Sequence, residues 1–255
     1  MTRGPDGPPA APVVQRLRLR YAKRGRLRFC SHRDIQRALE RALRRAEIPM
    51  AYSAGFTPHP RVSYAGAAAT GVASEAEYLE LALAARREPA QVCADLDAAL
   101  PPGLDVVDVV EAGPGTLADR LEASEYLIRL DGVTPDEAGR AAAALLAEQV
   151  VEVERLTKAG RRRFDVRAAL VLLQPADDTH PPTRTGDHED GVGCAILRLV
   201  VRHSTPAVRP DDVLAALRHV ADLVPPVPPL VTRLAQGPLD QAAAIVGDPL
   251  AADRP

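Results

Sequence analysis

Twice along its 255 residues the chain runs through one order of elements: strand, helix, strand, strand, helix, strand. In the first copy, Gln15 to Tyr21 alternates polar and apolar residues as a half-buried strand does. Lys23-Arg24-Gly25-Arg26 then reads as a turn, and Leu27 to Cys30 as the return strand of a hairpin. Ser31 opens a helix, with Asp34 three residues on to complete an S-x-x-D cap. Ile35, Ala38, Leu39, Ala42, Leu43 and Ala46 repeat at helical spacing until Pro49 stops the run. Strands follow near Arg61 to Tyr64 and over Glu77 to Leu83, then a helix over Pro89 to Leu100 and a strand over Leu104 to Val110.

The second copy begins with a strand at Tyr126 to Leu130 and a helix over Pro135 to Glu148, introduced by Thr134. Val150 to Leu156 and Phe164 to Leu173 are expected to pair across Lys158-Ala159-Gly160. Strand Ala195 to Arg202, helix Pro210 to Asp222 and strand Leu230 to Ala235 complete it. This copy has either one strand beyond the minimum or a strand broken by a loop, and both alternatives stand at this stage. Two split units, each with an antiparallel sheet and helices on one face, predict an α+β chain of tandem (duplicated) ferredoxin-like units.

The boundaries follow from composition. Residues 1–14 and 237–255 are rich in Pro, Gly, Ala and Asp and are expected to be disordered tails. The first unit spans 15–112 and the second 120–236, the latter carrying a mobile loop at 174–193 in which no apolar period survives. His180 and His188 in that loop could hold a metal loosely, but an unstructured surface insertion accounts for them. No run of about 18 apolar residues predicts a membrane span, and the first residues do not resemble a signal peptide. Three widely spaced cysteines, Cys30, Cys93 and Cys194, suit a reducing cytoplasm rather than a disulfide framework.

Charge is distributed very unevenly. Residues 16–61 hold thirteen Lys or Arg against Asp34, Glu40 and Glu47, so the segment carries +10 in a chain of net charge −2. Such a dipole gathers polyanions on one face. Arg33, Arg37, Arg41 and Arg44 recur every three to four residues and form a basic stripe on the predicted helix. Six of the eight aromatic residues lie in or just after the same stretch, and basic groups interleaved with rings suit single-stranded nucleic acid. Lys23, Arg24, Arg26, Arg28, Arg33, Arg37 and Arg41 are the candidate phosphate contacts, and Tyr52, Phe56 and His59 the candidate contacts to a base or an end. A solvated arginine face with aromatics in the core is the competing reading.

His32 and His59 are the candidate catalytic groups, since imidazole titrates near neutrality. Ser31 and Asp34 already serve as a cap. Pro58 and Pro60 stiffen the chain on either side of His59, which suits a binding loop as well as a catalytic one. If residues 50–60 ran back along the helix, His59 would meet His32 and Arg28 at one site. Cys30 and His32 are too few for a zinc site, and the chain has neither a phosphate-binding nor a dinucleotide-binding glycine motif. No cofactor is therefore expected.

Several segments together carry a family resemblance: Lys23-Arg24-Gly25, Leu27-Arg28-Phe29, Ser31-His32-Arg33-Asp34, Arg41-Ala42-Leu43-Arg44-Arg45-Ala46, Tyr52-Ser53-Ala54-Gly55-Phe56-Thr57-Pro58-His59-Pro60 and Glu77-Tyr78-Leu79-Glu80. They resemble the radical SAM-associated (radical SAM-linked) domain of unknown function in its stand-alone form. The likeness is specific over residues 16–83 and looser through Arg155-Leu156-Thr157-Lys158-Ala159-Gly160 and Asp165-Val166-Arg167. Cys30 and Arg33 depart from its usual apolar positions. The resemblance implies association with a radical SAM enzyme and assigns no reaction to this chain. The leading expectation is a cytoplasmic, non-catalytic RNA-binding or substrate-presenting module. The alternatives are a metal-free endoribonuclease using His32 or His59, and a protein-docking subunit for a radical SAM enzyme.

Overall fold

A computed structural model describes residues 12–157, 160–176 and 193–254. The chain is mixed α/β, with largely antiparallel strands and four α-helices among the described residues. It divides into two compact units, one running up to Arg120 and resuming at Pro249, the other spanning Leu121–Asp248. The tail 1–14 and the loop 174–193 fall mostly outside the described residues, as do His180, His188, Lys158 and Ala159.

The first unit contains β1 (Gln15–Lys23), α1 (His32–Arg45), β2 (Val62–Ala65), β3 (Ala73–Leu83), α2 (Pro89–Ala99) and β4 (Leu104–Glu111). β1 pairs with β4 on one side and β3 on the other, and β2 takes the far side of β3, all antiparallel. The spatial order is β4-β1-β3-β2. Period two along β1 sends Leu17, Leu19 and Tyr21 to one face, where they pack with Leu79, Leu81 and Leu83 of β3. Ile35, Leu39, Ala42 and Leu43 of α1 and Val92, Leu96 and Ala99 of α2 close that core. α1 starts where expected because the Ser31 side chain accepts a hydrogen bond from the Asp34 amide at 3.3 Å.

The predicted hairpin after β1 is not formed. Both edges of β1 are already taken by β3 and β4, so Leu27 to Cys30 has no strand to join. Gly25 turns the chain at φ +55, and Gly25–Phe29 winds into a 3-10 turn with Leu27 N donating to Arg24 O and Cys30 N to Leu27 O.

The opposite face of β1 carries Arg16, Arg18 and Arg20, and it is here that the C-terminal residues pack. Arg18 is 1 % exposed. Its Nη1 donates to both carboxylate oxygens of Asp253 at 2.9 Å, its Nε to Glu80 at 3.3 Å and its Nη2 to Gly115 O at 2.5 Å. Arg120 adds bonds of 2.8 and 3.0 Å to the same carboxylate, and the Gly113 amide a third at 2.9 Å. The Asp253 side chain is wholly buried, as is Leu250. Arg254 pairs with Asp108 at 2.6 Å. The expectation of a disordered tail from residue 237 is thus corrected. Composition hid single residues whose partners lie far away in sequence.

The second unit contains β5 (Ala123–Asp131), α3 (Pro135–Ala147), β6 (Glu152–Thr157), β7 (Gly160–Asp165), β8 (Leu170–Pro175), β9 (Cys194–Arg202), α4 (Pro210–Ala221), β10 (Leu230–Gly237), β11 (Leu239–Asp240) and β12 (Ile245–Val246). Its sheet order is β10-β5-β9-β8, while β6 and β7 form a separate two-stranded ribbon. The additional strand left open by the sequence is therefore this ribbon, which ends at Asp165 and does not continue into β8. Arg155 ties it to α4, bonding Asp212 at 2.7 Å while its guanidinium lies 4.9 Å from the Phe164 ring centre. With the ribbon set aside, both units place their strands in the same order: fourth, first, third, second.

Candidate nucleic-acid interface

The basic residues of the first unit fall into two groups. Those on or next to β1 are engaged inside the unit. Arg16 pairs with Glu80 at 2.8 Å, and Arg20 donates to Glu75 O at 2.8 Å. Lys23, at 3 % exposure, donates to Ala68 O and Ala69 O at 3.4 and 3.3 Å. Arg24 is clasped between Glu75 and Asp105, whose hydrogen bonds and charges, Glu75 foremost, raise its pKa further above the ordinary arginine range. Lys23 and Arg24, expected among the phosphate contacts, therefore hold the β1 end to its neighbours instead. Sequence pattern alone does not separate them from Arg26, because the partners, two backbone carbonyls for Lys23 and two carboxylates for Arg24, lie far along the chain.

The second group faces solvent. Arg26, Arg33, Arg37, Arg41 and Arg44 are exposed, and Arg28 is half-buried. Among the described residues Arg26, Arg28, Arg33, Arg41 and Arg44 form no ion pair, and Arg37 reaches only Asp34, at 4.0 Å. Asp34 itself is committed to the helix start. A hydrogen bond from Ser31 holds its carboxyl below the usual range. Arg33, Arg37, Arg41 and Arg44 form the face of α1 opposite Ile35, Leu39 and Leu43, so amphipathicity alone turns them outward.

The two histidines belong to different places. His32 lies edge-on against Tyr64 of β2, with ring centres 5.1 Å apart and planes at 87°. The Gln36 side-chain amide donates to its Nε2 at 3.0 Å, which takes up that nitrogen's lone pair. His59 lies in an exposed excursion of residues 52–60. Tyr52 bridges Pro60, Ser53 N donates to His59 O at 2.9 Å, and His59 N donates to Ser53 Oγ at 3.0 Å. This loop is rooted where Ala51 and Arg61 both bond to Ala82. Lys23 stands opposite Ser74, at the other end of β3, roughly 26 Å away at 3.3 Å per residue. Among the described residues no hydrogen bond or ring contact joins His59 to His32. Among the described residues no such contact joins His32, His59 and Arg28, the residues expected to share one site. The loop exposes Phe56 by 81 % and Tyr52 by 39 %.

Tyr64 was not singled out by sequence reasoning. Its hydroxyl is buried without a hydrogen-bond partner among the described residues, and burial, then the charge of Glu40, push its pKa well up. A phenol hydroxyl left in this way costs the fold about 1–3 kcal/mol. Tyr64→Phe should therefore raise the stability of the chain, read as an upward shift of the denaturant midpoint at unchanged slope. A fall in the midpoint would show that the hydroxyl has a partner in solution.

A family model matches residues 16–210, under the description "uncharacterized protein conserved in bacteria (DUF2344)". The chain belongs to this family. The match covers all of α1, the 52–60 loop and the β6–β7 ribbon, so every feature of the candidate interface lies inside the family's shared region. No curated protein matches the chain. Among solved structures, a chain in the "Crystal Structure of a Cbf5-Nop10-Gar1 Complex" is similar at 12 % identity and a TM-score of 0.45. That alignment covers 91 % of this chain and 54 % of the other, so the chain spans about half the length of that neighbour. Among the described residues no helix is long and apolar enough to cross a membrane.

Proposed function

We propose that this member of the family is a non-catalytic RNA-binding module that presents RNA to a partner enzyme, built as two tandem ferredoxin-like units. The ferredoxin-like reading is supported by the fourth-first-third-second strand order in both units. The RNA reading is carried by one observation: among the described residues the arginines along α1 form no close ion pair, while each arginine on β1 bonds a partner within the unit. Arg33, Arg37 and Arg41 follow one another at i, i+4, where like charges repel by a few tenths of a kcal/mol per pair. A polyanion lying along the helix turns that repulsion into attraction. Single strands bound to ferredoxin-like domains commonly lie on the open sheet face. Here that face is occupied by Asp253 and its neighbours, so the contact falls to α1 and the 52–60 loop. The enzyme such a module would serve is, on the motif resemblance over residues 16–83, a radical SAM enzyme.

The test is a titration of fluorescent single-stranded RNA at several salt concentrations. With five or six phosphates contacted, log affinity should fall against log salt with a slope of about −4, at roughly −0.7 per contact. Absence of binding at low salt would overturn the proposal. A second reading, a metal-free endoribonuclease, is favoured by the exposed position of His32 beside Arg33. Cleavage of the same RNA in chelator, abolished by His32→Ala or His59→Ala, would select it.

A further inference from the structure

Phe29 is the last residue of the 3-10 turn and is 60 % exposed. A single exposed ring is ordinary on a protein surface, but this one is held in place. The turn is pinned at both ends, with Arg24 N donating to Gly103 O at 2.8 Å and Gly71 N to Arg28 O at 2.7 Å. Between them Leu27 packs against the hydrophobic core. The Arg28 guanidinium lies 4.6 Å from the centre of the Phe29 ring, a cation–π contact that orients the ring while leaving most of it open to solvent. Arg26 stands exposed two residues before Arg28, and Arg33 begins the α1 stripe four residues after Phe29.

We infer that Phe29 is a stacking platform for an unpaired nucleobase, at the end of the phosphate track formed by Arg33, Arg37 and Arg41. The inference rests on the RNA reading and narrows it to single strands, because only an unpaired base can offer its face to a side chain. A rigid ring loses little conformational entropy on binding, and the neighbouring guanidiniums neutralise the phosphates on either side of the stacked base. Stacking is not electrostatic, so its loss should change affinity without changing the number of counterions released.

The experiment compares the full chain, Phe29→Trp and Phe29→Leu, using a single-stranded oligoribonucleotide that carries 2-aminopurine and, separately, its duplex. Melting curves first confirm that both variants fold. The expected result is quenching of 2-aminopurine by wild type and Phe29→Trp. Phe29→Leu should lose affinity by about 5- to 150-fold, the range for one base on one ring, at an unchanged salt slope. The duplex should bind more weakly and without quenching. Wild-type affinity and quenching in Phe29→Leu would overturn the inference while leaving the RNA reading intact. A salt slope shallower by about one contact in Phe29→Leu would also overturn it, by assigning the loss to Arg28. Failure of wild type to bind either probe would remove both readings together.

Discussion

Asp253→Ala should destabilise the first unit by about 3–5 kcal/mol, the cost of removing one member of a buried ion pair and leaving its partner charged. Asp253 has no exposed side-chain surface and Arg18 has 1 %. The substitution would leave the Arg18 guanidinium with only Glu80 and the Gly115 carbonyl, free the Gly113 amide and remove two of the bonds that hold Arg120. At about 4 °C per kcal/mol, where the ranges for smaller and larger domains meet, the melting temperature should fall by roughly 10–20 °C. Burial pushes the Asp253 carboxyl up, but hydrogen bonds from Arg120 and Arg18 and the Gly113 amide outweigh it, and the group ends below the usual carboxylate range. A depressed pKa of this kind adds stability above the unfolded value of about 3.9 and loses it as pH falls through the lower folded value. The wild-type advantage over Asp253→Ala should thus be constant near neutrality and shrink only in strong acid. A melting temperature within about 2 °C of wild type would show that residues 249–254 do not pack on the first unit in solution.

How much of this was readable in the chain depends on how local the determining interactions are. α1 was legible because Ser31 caps it, Ile35, Leu39 and Leu43 repeat along one face, and Pro49 lies just beyond its end. The structure places it at His32–Arg45. β4, β5, β9 and the helices α2 to α4 were legible for the same reason. The 3-10 turn was not, because Leu27 to Cys30 looks like a strand until β3 and β4 are known to occupy both edges of β1. The C-terminal segment was illegible for a sharper reason. Its anchor is one aspartate whose partner Arg18 stands 235 residues away, and no local pattern announces such a pair.

The candidate interface divides along the same line. Arg16, Arg18 and Arg20 alternate with Leu17, Leu19 and Tyr21, so their common face could be read from period two. That Glu80 and Asp253 neutralise that face could not. The α1 stripe was visible as spacing, and only the structure separates its free arginines from the engaged ones. His32 and His59 both sit in motif-rich segments, but nothing local in the sequence shows that His32 packs on Tyr64 while His59 is held by Ser53 within its own loop.

The central claim is that α1 carries the phosphate contacts, and the most direct measurement is the salt dependence of single-stranded RNA binding by the triple variant Arg33→Ala, Arg37→Ala, Arg41→Ala. These positions are exposed and alanine is the better helix former, so melting should be unchanged or slightly improved. Loss of three contacts should shallow the slope of log affinity against log salt by about 2, from about −4 to about −2, and weaken binding roughly 100-fold at 0.1 M salt. A triple variant with the slope and affinity of wild type would contradict the account, leaving the arginines of α1 as a solvated face.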